Sequence, residues 1–97
     1  MAEIILVTGG ARSGKSGWAQ ARAETVSSDR VYVATSPVTD AEMAERIARH
    51  RQDRRGAGWR TVEETLELDR VLYGCARAGV VLVDCLTLWV NNLLMQD

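Results

Sequence analysis

One octapeptide constrains this chain more than any other stretch: Gly9-Gly10-Ala11-Arg12-Ser13-Gly14-Lys15-Ser16. It fits the phosphate-binding pattern G-x-x-x-x-G-K-[ST]. Gly9, Gly10 and Gly14 let the backbone turn tightly and approach a phosphate with no Cβ in the way. The successive N–H groups then form an anion-binding nest at a helix N-terminus, where the helix dipole also favours negative charge. Lys15 brings a mobile charge to the β- and γ-phosphates, and the Ser16 hydroxyl suits a Mg²⁺ ligand. The flanks agree with this reading. Residues 3–8 predict a buried strand that feeds the loop, and residues 18–26 predict the helix that leaves it. An ordinary glycine-rich turn accounts for the glycines but not for Lys15-Ser16.

Ninety-seven residues bound the chain to one domain with a small core. Residues 1–97 read as a single P-loop nucleotide-binding domain. The net charge of −1 argues against a general polyanion binder, and the arginines form one short cluster, so nucleic acid is not an expected partner. Eleven of the twelve basic residues are arginine, and Lys15 is the one lysine. Where composition favours arginine everywhere else, this position keeps lysine. Cys75 and Cys85 form no C-x-x-C pair and have no partner histidines, which excludes a metal framework and suits two packed thiols in a reducing cytoplasm. The apolar run at residues 4–7 is too short for a secretory signal. The apolar run at residues 86–95 is interrupted by Asn91 and Asn92 and falls short of the ~20 residues that span a bilayer.

Along the chain, strand-like and helix-like segments alternate. Residues 14–27 predict a helix and residues 30–35 a strand covered on both faces. Thr39 and Glu42 read as a capping box, with Thr39 at the N-cap of a helix that runs to about residue 52. Met43, Ile47 and His50 share one face of that helix. Residues 54–58 read as a loop containing Gly56 and Gly58, and residues 59–62 as a short strand. Residues 64–78 predict a helix with Leu68, Val71, Leu72 and Cys75 along one stripe, ended by Gly79. A strand at 80–84 and a last helix at 86–95 follow. The alternation predicts an α/β fold with a mainly parallel sheet.

Three constellations carry the chemistry. Val80-Val81-Leu82-Val83-Asp84 has the Walker B form, an apolar strand ending in an acid. A carboxylate there lies on the edge where open α/β sheets bind ligands, and Asp84 can hold Mg²⁺. The second constellation holds Arg46, Arg49, His50, Arg51, Arg54 and Arg55. It reads either as a solvated helix end over a packed histidine or as a triphosphate site, since guanidinium groups grip phosphate oxygens as forks. His50, the sole histidine, continues the inner stripe, and as a neutral imidazole it could attack phosphorus. The third follows the second strand. The Ala34-Thr35-Ser36 hydroxyls could contact a phosphate or base, or simply end the strand. Glu63 is either a base- or sugar-binding carboxylate or a helix-start acid. Trp18, Trp59 and Trp89 suit a core better than a ligand platform.

Taken together, V-T-G-G-A-R-S-G-K-S, Y-V-A-T-S, D-A-E-M-A-E-R-I-A-R-H-R, W-R-T-V-E and V-L-V-D-C-L-T resemble the N-terminal half of one family. It is the bifunctional adenosylcobinamide kinase / adenosylcobinamide-phosphate guanylyltransferase family of cobalamin biosynthesis. The likeness covers essentially the whole chain, and the second and third blocks give it its specificity. The resemblance implies a P-loop NTPase with a RecA-like sheet and a homotrimer. It implies a kinase that phosphorylates adenosylcobinamide with GTP or ATP, and a transferase that passes GMP from GTP through a histidine to the substrate phosphate. The family's guanylylated histidine falls on His50. Its nucleotide contacts fall on Gly9 through Ser16, on Ala34, Thr35 and Ser36, on Arg51, Gln52, Asp53 and Arg54, and on Glu63 and Asp84. The P-loop and Walker B patterns make Lys15 the expected catalytic cation, with Ser16 and Asp84 the expected Mg²⁺ ligands.

The departure from the family is length, since its members are roughly twice as long. In RecA-like sheets a later strand commonly lies between the P-loop strand and the Walker B strand. Without it, residues 3–8 and 80–84 must either leave a gap or pair directly. The chain therefore reads as a truncated fold, expected to have little or no turnover alone. The alternatives are another P-loop kinase acting on a small metabolite, and a non-catalytic nucleotide-binding module.

Overall fold

The computed structural model describes residues 3–9 and 14–96. Three five-residue strands, β1 (Arg30–Ala34), β2 (Trp59–Glu63) and β3 (Val80–Asp84), form one sheet in the order β2-β1-β3. Both pairings are parallel, in a register that sets Ala34 beside Glu63 on one side and beside Asp84 on the other. Three residues with assigned chemistry thus come level at the carboxyl edge of the sheet. β1 is central, and its alternation divides the faces: Val31 and Val33 are buried on one, Tyr32 and Ala34 half-buried on the other.

The valine face is the core. Leu68 and Val71 of α3 (Leu68–Gly74) pack on Val31 and Val33, together with Cys75, Val62, Val81 and Val83 and with Trp89 of α4 (Leu86–Leu94). Trp89 Nε1 donates to the Leu66 carbonyl at 2.7 Å, so its indole is satisfied as it packs. Asn92, which interrupts the last apolar run, bridges two strand exits: its Nδ2 donates to the carbonyls of Thr35 and Thr65 at 2.8 and 2.9 Å.

The tyrosine face is covered by α1 (Lys15–Glu24) and α2 (Ala41–Gly56), with α1 along β3 and α2 along β2. Glu24 accepts from Trp59 Nε1 at 2.8 Å, and its carbonyl accepts from Arg30 Nη2 at 2.9 Å. Trp59 and Arg30 begin their strands, so α1 ends at the amino edge of the sheet. Lys15 and Ser16 open the helix at its other end. A Cβ on Gly79 would overlap the Ser27 side chain, which is why the turn into β3 needs glycine there.

Several expectations change. Residues 3–8 form no strand: they lie outside the sheet, with Ile4, Ile5 and Leu6 exposed. A strand needs a neighbour at about 4.8 Å, and the sheet holds no strand beyond β3 on that side among the described residues. The segment leaves a gap there. The cap of α2 is Asp40, not Thr39: Asp40 Oδ1 accepts the Met43 amide at 2.7 Å, while Glu42 faces Arg46. The same helix continues through residues 54–56, read as loop, because Arg54 is buried against the sheet. It stops just before Gly58, which takes φ +82°. α3 begins at Leu68, since the Glu64 carboxylate accepts the Leu66 and Glu67 amides in a turn of its own. It ends at Gly74, short of Gly79.

Candidate active site

A groove opens over the carboxyl edge of the sheet, on the tyrosine face. β1 and its exit supply Tyr32, Ala34, Ser36 and Val38; β2 supplies Glu63; β3 supplies Asp84. α2 supplies Arg46, Ile47, His50 and Arg54, and Leu88 of α4 adds an apolar wall. The helical spacing of Arg46, Ile47, His50 and Arg54 explains why one helix delivers all four to one side. His50 is exposed at the mouth and lies over the same edge as Asp84.

Three side chains interlock at the base. The Tyr32 hydroxyl donates to Asp84 Oδ2 at 2.6 Å. Burial first, and that bond second, push the tyrosine hydroxyl well above its ordinary pKa, so it stays a donor. The Arg54 guanidinium lies over the Tyr32 ring, 3.7 Å from the centroid, a cation–π contact. Arg54 is 7% exposed, and its Nε is buried with no hydrogen-bond partner among the described residues. A buried guanidinium without a carboxylate is costly unless another anion completes it. Above this base, Arg51 pairs with Glu63 at 3.0 Å, joining the helix to the end of β2.

The structure therefore brings together His50, Arg54, Glu63, Asp84, Ala34 and Ser36. It does not bring Thr35 with them. That residue is fully buried, its hydroxyl bonded to Cys85 and its carbonyl to Asn92. Arg51 and Gln52 line a neighbouring shallow groove on the outer side of α2 with Arg55 and Glu63, whereas Asp53 lines neither. Gly10, Ala11, Arg12 and Ser13 lie outside the described residues, and Gly9 is exposed without regular structure. Gly14 takes φ +83°, a left-handed conformation that favours glycine, at the N-cap of α1. Lys15 and Ser16 open that helix, which contributes no described residue to the groove.

No cluster of three or more candidate metal ligands occurs among the described residues. Mg²⁺ does not need one: it is commonly held by one or two carboxylates, water and substrate phosphates. Asp84 suits that chemistry, because Tyr32 takes its Oδ2 and Oδ1 has no hydrogen-bond partner among the described residues. The sequence reading missed Tyr32 and the apolar walls Val38 and Leu88. Tyr32 left a signal: two residues before Ala34 in a strand, it must share the face of the strand end already assigned to the site.

Helices on both faces of a parallel sheet, a left-handed glycine capping the helix within a G-x-x-x-x-G-K-S run, and an acid ending a strand define an α/β protein of the P-loop class. The chain belongs to the cobinamide kinase / cobinamide phosphate guanyltransferase family, whose pattern it matches over residues 5–97. It is 52% identical over 93 residues to the bifunctional adenosylcobalamin biosynthesis protein CobP of Pseudomonas aeruginosa, covering 95% of this chain and 53% of that one. It is 50% identical over 94 residues to the bifunctional adenosylcobalamin biosynthesis protein CobU of Escherichia coli, covering 96% and 51%. The Salmonella typhimurium CobU is 46% identical over 95 residues, covering 94% and 50%. The chain thus spans about half the length of the curated relatives it matches. Among the described residues, no helix is long and apolar enough to cross a membrane.

Proposed function

We propose that this chain is the nucleotide-handling half of a cytoplasmic enzyme that works on adenosylcobinamide in two steps. In the first, the substrate hydroxyl attacks the γ-phosphorus of GTP or ATP and a nucleoside diphosphate leaves. Lys15 balances charge on the transferring phosphoryl group. In the second, an imidazole nitrogen of His50 attacks the α-phosphorus of GTP, and pyrophosphate leaves as the P–N bond forms. An oxygen of adenosylcobinamide phosphate then attacks the same phosphorus and frees the histidine, giving adenosylcobinamide-GDP.

The observation that carries the reading is the shared groove of His50 and Asp84 over one sheet edge. Arg54 offers its buried charge to phosphate oxygens from below, and Ser36 and Glu63 flank the space where the nucleotide's sugar and base would lie. Bound Mg²⁺ would neutralise phosphate charge beside Asp84 and Ser16. The part that the longer relatives possess would complete the sheet beside β3 and build the homotrimer.

The test uses GTP labelled at the α-phosphate, incubated with the chain alone and with the chain joined to the C-terminal half of the Pseudomonas aeruginosa relative, then denatured. Acid-labile covalent label is expected in the joined form and is lost in His50→Ala. Label that survives His50→Ala refutes the histidine assignment. Nucleotide binding without covalent label leaves a simple kinase or a nucleotide-binding module.

A further inference from the structure

We propose that Tyr32 is the positioning residue of this site: its hydroxyl sets the Asp84 carboxylate and its ring seats Arg54. The acid at the strand end and the helix that carries His50 are thereby held in one geometry. The inference rests on the reading of Asp84 as the carboxylate that faces Mg²⁺.

The geometry gives each part of the tyrosine one task. Its hydroxyl reaches Asp84 Oδ2 at 2.6 Å, the short length of a bond to a charged acceptor, which holds one oxygen and aims the other. One ring face carries the guanidinium of Arg54, which makes no ion pair among the described residues. The ring of Trp59 meets that of Tyr32 edge-on, at 85° with centroids 6.2 Å apart. That contact restrains rotation of the phenol, so the direction of its hydroxyl is set by packing. Tyr32 sits midway along the central strand, between the strand that ends in Glu63 and the strand that ends in Asp84. It need not touch a reacting atom: its influence passes through Asp84 and Arg54.

The experiment measures binding of a fluorescent N-methylanthraniloyl GTP to the chain as Mg²⁺ is titrated, for wild type, Tyr32→Phe, Tyr32→Leu and Asp84→Asn. Phenylalanine keeps the platform for Arg54 and loses only the hydroxyl. The Mg²⁺ needed for half-maximal binding is expected to rise about tenfold, the effect of one hydrogen bond to a charged group. Affinity without Mg²⁺ should change far less than that. Tyr32→Leu, which also removes the platform, should weaken Mg²⁺-free binding too. If Tyr32→Phe leaves the Mg²⁺ requirement unchanged while Asp84→Asn raises it, the inference is overturned and the Asp84 reading stands. A Tyr32→Phe protein that only melts earlier marks a structural tyrosine and overturns it as well. If Asp84→Asn changes nothing, or wild type shows no Mg²⁺-dependent binding, the reading beneath the inference fails with it.

Discussion

The Thr35 hydroxyl and the backbone of Cys85 close on each other: Oγ1 donates to the Cys85 carbonyl at 2.7 Å and accepts its amide at 2.9 Å. This staple joins the chain leaving β1 to the chain leaving β3, directly beneath the edge where Asp84 stands. Thr35→Val removes both bonds and leaves the Cys85 amide unmatched, while the Cys85 carbonyl keeps the Trp89 amide at 3.2 Å. It should cost about 2 kcal/mol, seen as a lower urea midpoint with an unchanged slope. Thr35→Ser keeps the hydroxyl and should cost about 1 kcal/mol, for one lost methyl. A valine variant as stable as wild type would contradict the staple.

The carboxylate of Glu24 is held below its ordinary value of 4.5, chiefly by the bond from Trp59 Nε1. A depressed acid adds stability above its unfolded pKa and loses it as pH falls through the folded value. Wild type should therefore melt above Glu24→Gln at pH 7, and the difference should shrink as pH falls below about 4.5. Thermal melts of both proteins from pH 7 to pH 3 check this. A difference that stays constant over that range would falsify the charge-dependent account.

Arg54 carries a desolvated charge whose partner is an aromatic face. Arg54→Met keeps the aliphatic length and removes the charge. Stability should move by no more than about 1 kcal/mol, because deleting the charge also deletes its desolvation cost. Affinity for GTP should fall at least about tenfold, with the loss of a charge-assisted phosphate contact. Calorimetric titration beside a urea melt separates the two. Unchanged affinity with a large loss of stability would make Arg54 a structural residue only.

How much was legible in the sequence depended on whether the cause was local. The segments of β1, β2 and β3 announced themselves because Val, Thr, Tyr and Trp favour pleated backbone wherever they find a neighbour. Residues 3–8 carry the same pattern and form no strand, because pairing is non-local and no strand beyond β3 bridges them to the sheet among the described residues. The positions of His50, Glu63 and Asp84 were readable, since one helix face and two strand ends can be counted from spacing. The stacking of Arg54 on Tyr32 was not, because nothing in spacing tells which arginine of a cluster turns inward. The cap of α2 was misread by one residue, since Thr39 and Asp40 are both competent acceptors and only geometry chooses between them.

Asn92 reaches from the far layer of the molecule to hold the carbonyls of Thr35 and Thr65. These are the first residues past Ala34 and two past Glu63, just beyond the floor of the groove. The floor is thus moored from below by a side chain that does not line the groove. Remodelling of α4 would therefore tilt two strand exits at once and be felt as a change in the shape of the groove.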